Sequence, residues 1–289
     1  MAQTDAKPKK SRAGRNLPAA TAVGLGLLIT VVLTLAYWNF GFVLFAALAL
    51  SLGAIELHRV LQKVEMNSAI VPIVVGTVVI VIGSYLAASN PSSGIDSAVF
   101  LVVALGLTVV SALVWRMFSG PDGFVKDSAA SLFTIGYISL LGAFVGLMIA
   151  PADGPARIVT FILCVVGNDV GGYFAGVLFG KHKMAPVISP SKTWEGFTGS
   201  IIFGLVIGAL SVKYLLGGQL WVGALMGIVL VISATCGDLV ESLIKRDLGI
   251  KDMSNFLPGH GGVMDRLDSL LVSVPIAWTM LYLLVPTLS

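Results

Sequence analysis

Charge is what this 289-residue sequence has least of. Only 11% of its residues are Asp, Glu, Lys or Arg, against roughly 25% in a soluble domain. Hydrophobic residues make up 56% and the mean hydropathy is +0.95, which excludes a separate water-soluble catalytic domain. Cysteine is almost as scarce. Cys164 and Cys236 both fall in apolar segments without metal-ligand spacing, and they read as small packing residues. Three further absences narrow the chemistry. No Ser-His-Asp arrangement is evident. The Gly176 to Gly180-Lys181 stretch has the wrong spacing for a Walker A loop, and no Ser or Thr follows the lysine. No cleavage site follows the first apolar segment, which is also too long for a signal-peptide core and reads as a retained span.

What is present is a succession of apolar runs. A membrane helix needs about 20 mostly apolar residues. Nine segments qualify: roughly 17–37, 41–57, 69–88, 98–118, 128–150, 156–178, 197–216, 220–244 and 266–286. The expected fold is all-α, a polytopic transmembrane helical bundle of about nine spans with a polar cavity on the cytoplasmic side. The sixth run is interrupted by Asn168 and Asp169, which suggests a broken span. Three regions follow: a disordered basic tail over 1–16, N-terminal spans over 17–150, and a catalytic transmembrane region over 151–289. Lys7, Lys9, Lys10, Arg12 and Arg15 crowd the tail. Beside a membrane span they set topology rather than bind nucleic acid. The loops near 58–68, 116–127, 179–196 and 245–266 carry nearly all remaining basic residues, so these loops and the N-terminus are expected in the cytoplasm. The 33 glycines read mainly as close-packing devices between helices.

Charged residues inside spans are costly and point to function. Asn168 and Asp169 open the first such group, with Tyr173 four residues after Asp169 on the same helical face. The second is the loop from Gly180-Lys181-His182-Lys183 to Ser189-Pro190-Ser191-Lys192-Thr193-Trp194-Glu195-Gly196. It leads into a helix start, whose N–H groups attract phosphate. The third and densest runs from Asp238, Glu241 and Lys245 on one helical face, through Arg246, Asp247, Lys251 and Asp252, to Asp265, Arg266 and Asp268. Mg²⁺ prefers oxygen ligands and is completed by substrate phosphates, a role that suits Asp238 and Asp265. Lys192, Lys245, Arg246, Lys251 and Arg266 are candidates to neutralise phosphate charge. Gly261 and Gly262 let backbone N–H groups approach an anion. His260 either binds a phosphate or hydrogen-bonds its own turn.

Ser242-Leu243-Ile244-Lys245-Arg246, then Lys251-Asp252, then Leu257-Pro258-Gly259-His260-Gly261-Gly262-Val263-Met264-Asp265-Arg266-Leu267-Asp268 resembles the motif of the phosphatidate cytidylyltransferase (CDP-diacylglycerol synthase) family over 27 positions. The segments beginning at Asn168 and Ser189 are also similar to that family, so the resemblance covers the C-terminal half. It implies transfer of the cytidylyl group of CTP to phosphatidic acid, giving CDP-diacylglycerol and pyrophosphate. It also implies Mg²⁺ held by Asp238 and Asp265, a second cation such as K⁺, and a homodimer in a bacterial-type inner or plasma membrane. Within that reading, Lys245, Arg246, Lys251, Asp252, Arg266 and Asp268 are the candidate catalytic residues. Asn168, Asp169, Lys181, Ser189, Ser191, Lys192, His260, Gly261 and Gly262 are the candidate substrate-binding residues. The expected partners are CTP, phosphatidic acid and the bilayer, without nucleic acid.

Rival readings remain distinguishable. A cytidylyltransferase acting on an ether-lipid phosphate would use identical headgroup chemistry. Asp153-Gly154-Pro155-Ala156-Arg157 faintly resembles the start of the CDP-alcohol phosphotransferase motif but is one residue short. A transporter should keep its charges near the membrane midplane, whereas these cluster at the ends of spans.

Overall fold

A computed structural model describes residues 17–257, 259 and 261–287, with side chains from Thr21 onward. The basic tail over 1–16 and His260 lie outside the described residues. Among the described residues, nine helical rods follow one another. They are α1 (Leu17–Tyr37), α2 (Asn39–Gln62), α3 (Ile70–Ser89), α4 (Ser97–Met117), a rod made of α5 (Phe124–Thr134) and α6 (Leu141–Ile149), α7 (Gly154–Phe179), α8 (Trp194–Leu215), α9 (Leu220–Asp247) and α10 (Met264–Leu284). A π-helical turn, Ile135–Leu140, joins α5 to α6. Eight rods are long and apolar enough to cross a membrane, and the described part of α1, Thr21–Tyr37, is a shorter apolar helix. The expected polytopic bundle is what forms, because only a helix satisfies all its backbone groups within a single apolar segment. A short antiparallel hairpin, β1 (Lys183–Ala185) with β2 (Ser189–Thr193), lies between α7 and α8.

Short connections make successive rods antiparallel. The ends of α2, α4, α7 and α9 therefore share one end of the bundle with the starts of α3, α5, α8 and α10. The charged residues singled out from Lys181 to Asp268 lie in the helix turns or loops at that end, and Asp169 lies within α7 (Gly154–Phe179). Two glycines set the spacing of the helices that build it. A Cβ on Gly227 of α9 would lie 1.9 Å from the Gly204 carbonyl oxygen of α8. A Cβ on Gly237 would lie 2.6 Å from the Asp268 carbonyl oxygen of α10. Backbone contact of this kind brings the side chains next to Gly237 against the first turns of α10.

α7 differs from the expected broken span. It runs unbroken through Asn168 and Asp169. The polar groups are side chains, outside the backbone hydrogen-bond ladder, so partners on neighbouring helices accommodate them without a break. Thr235 Oγ1 of α9 donates to the Asn168 side-chain Oδ1 at 3.5 Å, Ser200 Oγ of α8 donates to the Asn168 main-chain carbonyl at 2.6 Å, and Asn168 is buried.

The Asp153–Arg157 stretch sits at the far end of the bundle and has a structural duty. Arg157 is 4% exposed. It donates to Asp153 at 2.8 Å, to the Leu281 carbonyl at 3.1 Å and to the Val285 carbonyl at 3.0 Å. The Leu281 carbonyl also accepts the Val285 N–H at 3.2 Å, and the guanidinium, by reaching both carbonyls, ties the start of α7 to the end of α10. Replacing Arg157 with Ala removes that tie and its charge from Asp153. Thermal or denaturant unfolding in detergent should show a loss of about 3 kcal/mol, with the substrate KM values of the surviving folded protein unchanged.

Candidate active site

The last turns of α9 carry Asp238, Glu241 and Lys245 at spacings of three and four residues, which puts them on one face. The first turns of α10 carry Asp265, Asp268 and Ser269. Lys245 joins the two helices. Its ammonium pairs with Glu241 within α9 and donates to Asp265 Oδ1 at 3.0 Å across to α10. Asp265 is held from its other side by the loop before α10. It accepts the Gly262 N–H at 2.7 Å and the Met253 N–H at 3.1 Å. Its side chain is 7% exposed. A carboxylate facing N–H groups at a helix start is electrostatically favourable there.

The opposite wall comes from α7, the β hairpin and α8. Thr193 caps α8, its Oγ1 accepting the Gly196 N–H at 3.1 Å. The hairpin register pairs Lys183 with Thr193 and Ala185 with Ser189. This places Lys192 where its ammonium forms an ion pair with Asp238 of α9. On α7, Asn168 Nδ2 donates to Asp169 Oδ1 at 3.0 Å. Thr235 Oγ1 of α9 donates to Asn168 Oδ1 at 3.5 Å.

Two cavities adjoin at this end. One, of about 410 Å³, lies between α7, α9 and α10 and is lined by Asp169, Lys192, Asp238, Glu241, Ser242, Lys245, Asp265, Arg266, Asp268 and Ser269 with four apolar residues. The other, of about 230 Å³, lies between α7, β2, α8 and α9 and includes Asn168, Tyr173, Ser191, Thr193, Ser200 and Thr235. Asp169, Lys192 and Asp238 line both. The two polar compartments meet at one ammonium and two carboxylates, so anionic groups held side by side there would share Lys192 and would need further cationic charge to offset Asp169 and Asp238.

Not every candidate reaches these cavities. Asn168, Asp169, Ser191, Lys192, Asp238, Lys245, Asp265, Arg266 and Asp268 line one or both. Arg246 is exposed, and its Nε donates to the Ile188 carbonyl at 3.3 Å. Lys251 and Asp252 are exposed on the loop between α9 and α10, and neither lines either cavity. Lys181 lies beside Glu195, which accepts its N–H at 3.1 Å, and Ser189 Oγ is 3.5 Å from Ser191 Oγ. The glycine pair faces carboxylate. Gly262 donates to Asp265, and a Cβ on Gly262 would lie 2.6 Å from Glu56 Oε2. Gly261, at φ +85°, donates instead to the Leu257 carbonyl at 3.2 Å. Among the described residues, no three His, Cys, Asp or Glu side chains gather as a metal cage. The carboxylates of the larger cavity nonetheless offer the hard oxygen donors that a cation arriving with phosphate needs.

Two residues carry more of the site than sequence reasoning assigned them. Glu241 is 1% exposed. One of its oxygens pairs with Lys245 while Oε1 is buried without a partner. Glu56 of α2 is 4% exposed. It accepts the Val263 N–H at 3.0 Å, the Met264 N–H at 2.8 Å and the Ser254 hydroxyl at 2.5 Å. A carboxylate some 200 residues upstream thus caps α10 and fixes the loop that carries Gly262. A lone acid in the apolar run Gly53-Ala54-Ile55-Glu56-Leu57 was the available signal, under the same cost argument applied to the other intramembrane charges.

Comparison with known proteins places these features in context. Residues 18–284 match the model of the cytidylyltransferase family. A phosphatidate cytidylyltransferase of Mycobacterium leprae is 41% identical over 290 residues, covering 94% of this chain and 90% of that protein. One from Mycobacterium bovis is 37% identical, covering 95% and 91%. One from Staphylococcus haemolyticus is 39% identical over 151 residues, covering 52% and 57%.

Glu56→Ala leaves three donors without their acceptor at a buried helix start. At roughly 1–3 kcal/mol for a buried unsatisfied group, the variant should lose several kcal/mol against unfolding. Hydrogen exchange should speed up at the Val263 and Met264 amides. Unchanged exchange at both amides would contradict the capping role.

Proposed function

The chain belongs to the cytidylyltransferase family, and from that premise we propose that it transfers the cytidylyl group of CTP to phosphatidic acid. A phosphate oxygen of the lipid attacks the α-phosphorus of CTP. A new P–O–P bond forms, the bond between the α-phosphorus and the bridging oxygen breaks, and pyrophosphate leaves with that oxygen. The observation that carries this reading is the pair of polar cavities sharing Asp169, Lys192 and Asp238 at one end of an apolar bundle. The nucleophile is already an anion, so no protein nucleophile is needed. The obstacle is repulsion between two anionic substrates, and catalysis rests on positioning and charge neutralisation.

Lys192, Lys245 and Arg266 supply the cationic side chains within the cavities. Lys192 stands at the junction, where a lipid phosphate in one compartment and a nucleotide phosphate in the other would both approach it. Asp238 and Asp265 would hold Mg²⁺ together with substrate phosphates, and the bound cation would lower the charge on those phosphates. Lys192 pairs with Asp238 and Lys245 with Asp265, so a cation and phosphates bound there would share these carboxylates and ammonium groups. Asp169, Glu241 and Asp268 complete the acidic lining. A second cation such as K⁺ and a homodimeric working form rest on the family resemblance.

The distribution of Lys and Arg supports a cytoplasmic active-site end in a bacterial-type inner or plasma membrane, where CTP is available. The acyl chains then remain in lipid while the headgroup meets the nucleotide. The CDP-alcohol phosphotransferase reading loses its sequence basis, since Asp153 and Arg157 form a buried pair at the far end of the bundle.

Radiolabelled CTP with phosphatidate and Mg²⁺ should yield CDP-lipid and pyrophosphate, and purified protein that forms neither overturns the proposal. An ether-lipid phosphate in parallel decides between the two lipid classes. Asp238→Asn, Asp265→Asn and Lys192→Ala should each lower turnover by at least about 100-fold with membrane insertion intact. Lys251→Ala, on the exposed loop, should stay within a few-fold of the unaltered protein.

A further inference from the structure

A cavity outside the polar site is lined without a single polar side chain. It holds about 140 Å³ and lies between α1, α2, α6, α7 and α10. Its position along the helices is what gives it meaning. On α7, Phe161 and Ile162 line the apolar cavity, while Ile162, Val166 and Asp169 line the polar one. On α10, Leu270 lines both. The apolar cavity continues to Val274, whereas the polar cavity continues back to Asp265 and Arg266. On α7 the lining changes from apolar to polar along the helix, whereas on α10 the two cavities take different faces of an overlapping stretch, Leu267 and Leu271 lining the apolar one and Asp268 and Ser269 the polar one. The polar end lies at the helix starts of α10, and the apolar end lies roughly 12 Å deeper along its axis.

We propose that this slot receives one acyl chain of the lipid substrate, with its mouth at Ile162 and Leu270 opening into the polar cavity that takes the headgroup. The inference rests on the proposed function and adds where the lipid lies: along α7 and α10, with α2 as the outer wall. An amphipathic ligand matches a cavity pair that changes from charged to wholly apolar across two shared residues. Ala46 and Ala49 on α2 make the room, since both line the slot and both are only half-buried. Lipid tails are as apolar as leucine, so leaving the bilayer for the slot gains little hydrophobic free energy. The slot's contribution is orientation: a chain seated there fixes the direction and depth of the phosphate.

Ala46→Phe and Ala49→Phe fill the slot without touching the polar site. Each should lower kcat/KM for dioleoyl phosphatidate about tenfold, while kcat/KM for dihexanoyl phosphatidate and KM for CTP change less than twofold. Equal losses with both lipids, or no loss with either, overturn the slot. If the unaltered protein cytidylylates neither lipid, the functional reading itself fails, which is a separate result. Should a variant fail to fold, the unaltered protein decides the question. A phosphatidate carrying a mid-chain diazirine should label the 42–50 and 267–274 segments on irradiation. Labelling confined to other helices, or a cross-link from a photoreactive group at Phe45 to a second copy of the chain in the presence of lipid, rejects the assignment.

Discussion

A charge held inside a helical membrane bundle needs an internal partner, and Lys245 supplies one between Glu241 and Asp265. That bridge spans two helices whose backbones touch at Gly237. A longer side chain at Gly237 would separate α9 from α10 and with them the carboxylates of Asp238 and Asp265. The larger polar cavity depends on this contact more than on any loop. Lys192 repeats the arrangement from the other wall by reaching Asp238. The site is thus a set of paired charges around open space.

The energetics of the bundle are divided between its two ends. At the far end Arg157 is fully engaged by Asp153 and the last carbonyls of α10. At the site end Glu56 engages the first amides of α10. α10 is consequently held at both termini by charged side chains from α7 and α2, which places its first turns rigidly. The groups of the proposed site are held differently. Glu241 keeps one oxygen unpartnered, and Asp169 and Lys192 stand where the two cavities meet. Rigid support around incompletely satisfied groups is the arrangement expected where electrostatic preorganisation does the chemistry.

The positions of the spans were legible in the sequence because lipid demands an uninterrupted apolar run of a set length, and nothing else in the chain satisfies that demand. The charge-dense segment from Asp238 to Asp268 was legible for the complementary reason, that charge beside a span is expensive. Three features were not. Asn168 and Asp169 looked like a break, because a sequence does not say that Thr235 of another helix will meet the Asn168 side chain. Gly261 and Gly262 looked free to bind an external anion, whereas the anions they face are Asp265 and Glu56. Arg246, Lys251 and Asp252 share the charged segment with Lys245 but are exposed and do not line the cavities, which the sequence alone does not show.

By itself the sequence determined the bundle, its division into spans and the end at which phosphate chemistry could occur, because hydrophobic length and charge cost are local properties of the chain. The tertiary structure alone decided which charges meet. Glu56 reaches α10 across some 200 residues, Lys192 reaches Asp238 from a hairpin, and Ile162 and Leu270 line both the apolar and the polar cavity. Each of these is a contact between helices, and helix packing is fixed by glycine-mediated backbone approach and side-chain fit, which no single segment encodes.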